Sequence, residues 1–154
     1  MTAPWAMGRD KIAELLGKRH LEQISGAAAN GEFLLKQART RLAGARAAKE
    51  ADPAGAFALA YDGMRQAVTA LLIQQGLRPR TEGGHVAIIE AAQAQFGQSF
   101  ASFNTMRRVR NQLEYPRDPE ELEFDPADTD DAIDKTETAI EAVEQLLPRL
   151  GLWQ

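Results

Sequence analysis

Residues 52–76 constrain this chain more than any other stretch. They open with Asp52-Pro53. An aspartate side chain can accept from the free N–H groups of a first helical turn, and a proline there has no N–H to strand and a φ already near the helical value. Behind that start Phe57, Tyr61, Met64, Val68, Leu71, Leu72 and Gln75 recur at spacings of three and four, and Gly76 provides a stop. A long helix with one face in a core is predicted. Gly63, in the middle of it, weakens a helix by itself, so its presence points to close approach of a second helix.

The rest of the chain supplies partners for that face. A first helix is predicted over residues 9–24, with Ile12, Leu15, Leu16 and Leu21 inward, and Gly26 breaks it. A second, over 28–49, buries Leu34, Leu35, Ala38, Leu42 and Ala45 and exposes Lys36, Arg39 and Arg46. Residues 77–84 read as a loop. A short helix over 85–96 carries Val86, Ile88, Ile89 and Ala92, and another follows over 99–114. Tyr115 precedes a proline and is biased to extended backbone, which ends that helix. Residues 116–126 are acidic and turn-rich, with Asp118-Pro119 set to open one helical turn. Asp125-Pro126 repeats the capping signature and starts a last helix to Leu150, with Ile133, Ile140, Val143, Leu147 and Leu150 as its stripe. The expected fold is all-α: an antiparallel up-and-down bundle of four long helices plus one or two short ones. Residues 9–150 form a single domain between an N-terminal tail, 1–8, and a C-terminal tail, 151–154. Trp5 and Trp153 fall in those tails, where they pack on each other, mediate association or move freely.

Composition narrows the function classes. With 44% hydrophobic and 26% charged residues, 154 residues are enough for one ordinary core. A net charge of −4 argues against a general nucleic-acid coat protein, though not against a local basic site. The chain has no cysteine and only two histidines, His20 and His85, so neither a metal cluster nor a cofactor site is expected. Glu120-Glu121 and the acids of residues 128–131 read as solvated charge. No apolar run reaches membrane-span length and no signal-peptide core is present, so a cytoplasmic protein without membrane contact is expected.

One segment stands apart. Arg107, Arg108, Arg110 and Asn111 share a helix with the apolar stripe of Phe103, Met106, Val109 and Leu113. On a helical projection Arg107, Arg110 and Glu114 fall in one strip beside that stripe, Arg110 nearest its centre, while Arg108 and Gln112 point away. A cation at the edge of a packed face loses hydration and needs a partner or ligand. The plain partner is Glu114, in an i,i+4 pair worth about 0.2–0.5 kcal/mol. The alternative is a bound anion. His85, beside Gly83-Gly84, is a capping or loop residue unless the fold brings it near Arg110. Arg78-Pro79-Arg80 lacks the spacing of a phosphate loop and reads as a solvated turn that adds basic surface.

The run Arg110-Asn111-Gln112-Leu113-Glu114-Tyr115 resembles the R-x(4–6)-H motif near the end of a late helix in the HEPN superfamily, with tyrosine where that family has histidine. Asp52-Pro53, Ala60-Tyr61-Asp62, Leu71-Leu72 before Gln75-Gly76-Leu77-Arg78-Pro79, Gly83-Gly84-His85-Val86 and Arg107-Arg108 extend the resemblance over residues 9–150. It implies a four- to five-helix bundle that commonly forms a homodimer. Active members are metal-independent ribonucleases of toxin–antitoxin and defence systems; others are non-catalytic partners of nucleotidyltransferases, or binding modules. By position, Arg110 contacts phosphate, Asn111 orients it or caps backbone, and Tyr115 replaces the histidine. Arg107, Glu114 and His85 join as binding residues. A phenol with a pKa of about 10 is a poor general base at neutral pH. The expectation is therefore a non-catalytic or weakly active binding or regulatory module, with an antitoxin, a nucleotidyltransferase or RNA as partner. Two alternatives stay open: an endoribonuclease using Arg110 with Tyr115 or His85, and a structural dimerisation bundle without ligand. Small residues on one helix (Ala58, Ala60, Gly63, Ala67, Ala70) add to the dimer expectation.

Overall fold

The structure, a computed structural model, describes residues 5–80 and 84–154. Its elements in order are α1 (Arg9–Gly17), β1 (Leu21–Gln23), α2 (Glu32–Ala48), α3 (Pro53–Gln74), β2 (Leu77–Pro79), α4 (Gly84–Phe96), α5 (Ser102–Glu114) and α6 (Pro126–Leu146). The fold is all-α with one two-stranded ribbon, the class predicted from periodicity.

α3 is the centre. It is capped as its sequence requires, with Asp52 Oδ1 accepting from Gly55 N at 2.9 Å and Pro53 in the first turn. Its stripe is buried against α2 and α6 on one side and α4 and α5 on the other. Gly63 makes the expected close approach: a Cβ there would lie 3.2 Å from Ala38 O of α2 and 3.2 Å from Thr136 Cγ2 of α6. Two threonines of α6 reinforce the contact, Thr136 donating to Ala60 O at 2.9 Å and Thr129 to Pro53 O at 2.7 Å. α6 itself starts at a reciprocal capping box of Asp125 and Asp128.

Several expectations are corrected. The first helix does not run to residue 24. It stops at Gly17 because Arg19 takes a left-handed φ of 62°, and Arg19 N and His20 N bond back to Leu16 O at 3.1 Å and Leu15 O at 2.9 Å. That is a Schellman ending with arginine where glycine is usual. The chain then extends, and Leu21–Gln23 pairs antiparallel with Leu77–Pro79, which was expected to be loop. Pro79 is tolerated because it closes a short two-stranded ribbon, where no further strand needs its missing N–H. The second helix begins at Glu32, after a 3-10 turn over Gly26–Ala28, and 3-10 turns also precede α5 and follow α6. Asp118-Pro119 opens a turn, with Glu121 N bonded to Asp118 O at 3.0 Å, rather than a helical turn.

The two tryptophans pack on the body and not as an observed pair. Trp5 lies 5.2 Å from the Phe96 ring and donates Nε1–H to Gln95 O at 2.8 Å, while Trp153 N bonds Gln75 O at 2.9 Å. Between these anchors the fully buried amides of Gln75 and Gln95 bond each other reciprocally, at 2.6 and 3.0 Å. This pair locks the end of α3 to α4. The contact lies at the last turn of α4, at the far end of that helix from His85.

Candidate functional site: a cationic cleft between α3, α4 and α5

The lower face of α3 carries Tyr61, Asp62 and Arg65 at positions i, i+1 and i+4. Tyr61 is buried by its ring, which lies 5.8 Å from Phe103 of α5 and under the Arg110 guanidinium, whose Cζ is 5.9 Å from the ring centroid. Its hydroxyl reaches outward to His85 Nδ1 at 3.4 Å. A buried tyrosine with its polar tip at a cleft wall is the usual compromise between an apolar ring and a hydroxyl that needs a partner.

These groups and three from α5 line a cleft of about 460 Å³: Arg107, Arg110 and Asn111 face Tyr61, Asp62, Arg65 and His85. Three guanidinium groups and one imidazole thus meet a single carboxylate inside the cleft, and that carboxylate is only loosely held, with Asp62 Oδ1 3.9 Å from Arg65 Nη2. Arg107 leans on Asn104 Oδ1 at 3.2 Å, and Arg110 pairs with Glu114 as the i,i+4 spacing predicted. Both partners of that pair are partly solvated, at 33% and 44% side-chain exposure, so the pair contributes only a few tenths of a kcal/mol. It does not by itself account for three arginines on one wall.

The electrostatics follow from the packing. Partial burial of the His85 ring, with Arg65, Arg110 and Arg107 beside it, holds its pKa below the usual 6.5. The imidazole is therefore mainly neutral at pH 7. Burial raises the Tyr61 pKa above 10.0 despite the same arginines, so its hydroxyl keeps its proton. Tyr61 Oη and His85 Nδ1 share one proton between them. With the hydroxyl donating, the neutral ring carries its own proton on Nε2 and offers it to an acceptor in the cleft.

Of the sequence-predicted residues, Arg107, Arg110, Asn111 and His85 come together here, with Glu114 against Arg110. Tyr115 does not join them. It is 74% exposed and lines a neighbouring open hollow with Pro116, Asp118 and Glu121, which meets the cleft only at Asn111, because it leaves the last turn of α5 at φ −131° and ψ 65°. Gly83, noted beside His85 in the sequence, lies outside the described residues. Tyr61, Asp62 and Arg65 were missed as site residues; Tyr61 read as core stripe, although Ala60-Tyr61-Asp62 belongs to the resemblance and the hydroxyl needs a partner. Among the described residues no group of carboxylates and histidines could hold a metal ion, and no helix is long and apolar enough to cross a membrane.

The fold is all-α, and its surface carries a cleft lined by three arginines, one histidine and one carboxylate. No protein-family model matches the chain, and no curated protein or solved structure matches it significantly.

Proposed function

We propose that the chain is a HEPN-like binding module whose cleft takes a phosphodiester group, with Arg110, Arg107 and Arg65 as cationic contacts and His85 and Asn111 as hydrogen-bonding groups. The observation that carries this reading is the imbalance inside the cleft, three arginines against the one carboxylate of Asp62. Arginine suits the role because its planar fork bonds two phosphate oxygens at once. A regulatory place in a toxin–antitoxin, defence or nucleotidyltransferase-associated system, with RNA as the ligand, is what the HEPN resemblance adds.

Calorimetric titration with a dinucleoside phosphate at low salt tests it. Binding is expected, and Arg110→Gln should weaken it about tenfold or more, the scale of one charged hydrogen bond. Equal affinity in the variant, or no binding by the parent chain, contradicts the reading.

The second reading, a metal-independent endoribonuclease, is favoured by the placement of a neutral His85 beside Arg110. It requires RNA cleavage in the presence of a chelator, lost in both His85→Ala and Arg110→Ala. With Tyr61 donating to Nδ1, the neutral ring carries its proton on Nε2 and meets a substrate as a hydrogen-bond donor and not as a base, which favours binding over proton abstraction.

A further inference from the structure

The cleft does not end at His85. A second hollow adjoins it and shares Arg65 and His85, and is otherwise bounded by Arg78 and Pro79 of the ribbon, Arg80 just after it, and Thr69 of α3. Its floor is apolar, formed by Leu34, Ile73 and Ile88. A third hollow shares Arg78, Pro79 and Arg80 and continues to Lys18, Arg19, His20 and Glu22. Each of the three thus shares lining residues with the next, from the α3 and α4 side chains to the β1–β2 ribbon and the residue that follows it.

Charge is concentrated along this line. Seven of the chain's 18 lysines and arginines line it (Arg65, Arg107 and Arg110, then Arg78 and Arg80, then Lys18 and Arg19), against two of its 22 carboxylates, Asp62 and Glu22, among the described residues. The protein as a whole is net −4, so the line is an exception and not a sample of the surface. Arg78 is bonded to Glu22 at 2.6 Å and Lys18 to Glu14 at 2.8 Å, whereas Arg19 and Arg80 make no ion pair among the described residues. Arg19 carries a second mark: among the described residues it is the one non-glycine with positive φ, at 62°. Such backbone costs free energy that glycine would avoid, and retained strain of this kind clusters at binding sites.

We infer that the cleft is one end of a longer track that holds the backbone of a single-stranded nucleic acid, running from Arg110 past the apolar floor to Arg80 and Arg19. The inference rests on the reading that the cleft takes a phosphodiester. Alternating cations suit successive phosphates, and the Leu34/Ile73/Ile88 floor between them suits the face of a base; a simple anion would have no use for that floor. A duplex is disfavoured because its bases are not free to lie on it.

The test compares a dinucleoside phosphate with single strands of roughly ten nucleotides, as RNA and as DNA of the same sequence. The variant is Arg19→Gly/Arg80→Gln. It should fold, since glycine accepts the left-handed φ and the hydrogen bond of residue 80 to His20 O, at 3.0 Å, is made by the backbone. The double variant should bind the long strand about tenfold more weakly, with the salt slope reduced by roughly 1.4, or about 0.7 for each cation lost. Its dinucleotide affinity should not change. RNA binding more tightly than DNA identifies RNA as the occupant; equal binding assigns the track to single strands of either sugar. Three results overturn the track: a long strand that binds no better than the dinucleotide, a double variant with unchanged affinity and slope, or poly-glutamate that competes as well as the oligonucleotide. Loss of dinucleotide binding in Arg110→Gln alongside any of these leaves the cleft reading standing and removes only its extension. Dinucleotide affinity indifferent to Arg110→Gln removes both.

Discussion

Arg19 is a residue whose backbone conformation and chemistry pull apart. At φ 62° it ends α1 and turns the chain into the ribbon, and glycine there would relieve a cost of about 1–2 kcal/mol, offset in part by the entropy glycine brings to the unfolded chain. Arg19→Gly is therefore expected to raise stability by about 1 kcal/mol, read as a higher midpoint in urea; a lower midpoint would mean that the side chain itself holds the turn. Gly31 shows the opposite case, with an ordinary φ but no room. A Cβ there would lie 2.2 Å from Ala70 O of α3. Gly31→Ala should cost about 1–3 kcal/mol, the usual range for overpacking against a rigid neighbour, and a neutral result would show that α2 can slide away from α3. Neither position was legible beforehand. Arg19 carries no turn signature, and the crowding at Gly31 depends on a helix more than thirty residues later in the chain.

At the scale of elements, the helices that were legible were those with both a cap and a period. Asp52-Pro53 and Asp125-Pro126 start α3 and α6 where the sequence predicts, and Gly63 marks the close approach it implied. The ribbon was not legible. Its two strands are three residues each and stand far apart in the chain, so no local period distinguishes them from a helix end and a loop. The Gln75–Gln95 amide pair was likewise hidden, since a buried glutamine is recognisable only once its partner is in place. Replacing one member leaves a buried amide unpaired. Gln95→Leu is expected to destabilise by about 1–3 kcal/mol, and Gln75→Leu/Gln95→Leu by less than the sum of the single changes. Additive losses would show that the two amides act independently. The α5 arginines were legible as a strip, but their company was not: Tyr61 and Arg65 come from α3, and only the packing of α3 on α5 makes them one cleft.

For the whole molecule, the small residues that suggested an intermolecular interface are used inside the chain. Ala60, Gly63, Ala67 and Ala70 are buried in the contacts of α3 with its own neighbours. A homodimer is thus carried by the HEPN resemblance alone, and the mass of a single chain in light scattering at micromolar concentration would remove it. Charge is also organised at this scale, with an acidic molecule gathering cations along one line. The central claim is that the first part of this line, the cleft, receives an anion, and His85 reports on it directly. Its folded pKa lies below 6.5, so its contribution to stability is present above pH 6.5 and is lost as the pH falls through the folded value. An anion bound among the arginines must favour the charged ring and raise that pKa. The decisive measurement is the NMR pH titration of the His85 ring protons, with and without a saturating dinucleoside phosphate, whose diester does not itself titrate in this range. A free pKa below 6.5 that moves upward on binding is the expected result. A His85 titration that ligand leaves unchanged, while the ligand binds, would place the ligand elsewhere and contradict the cleft.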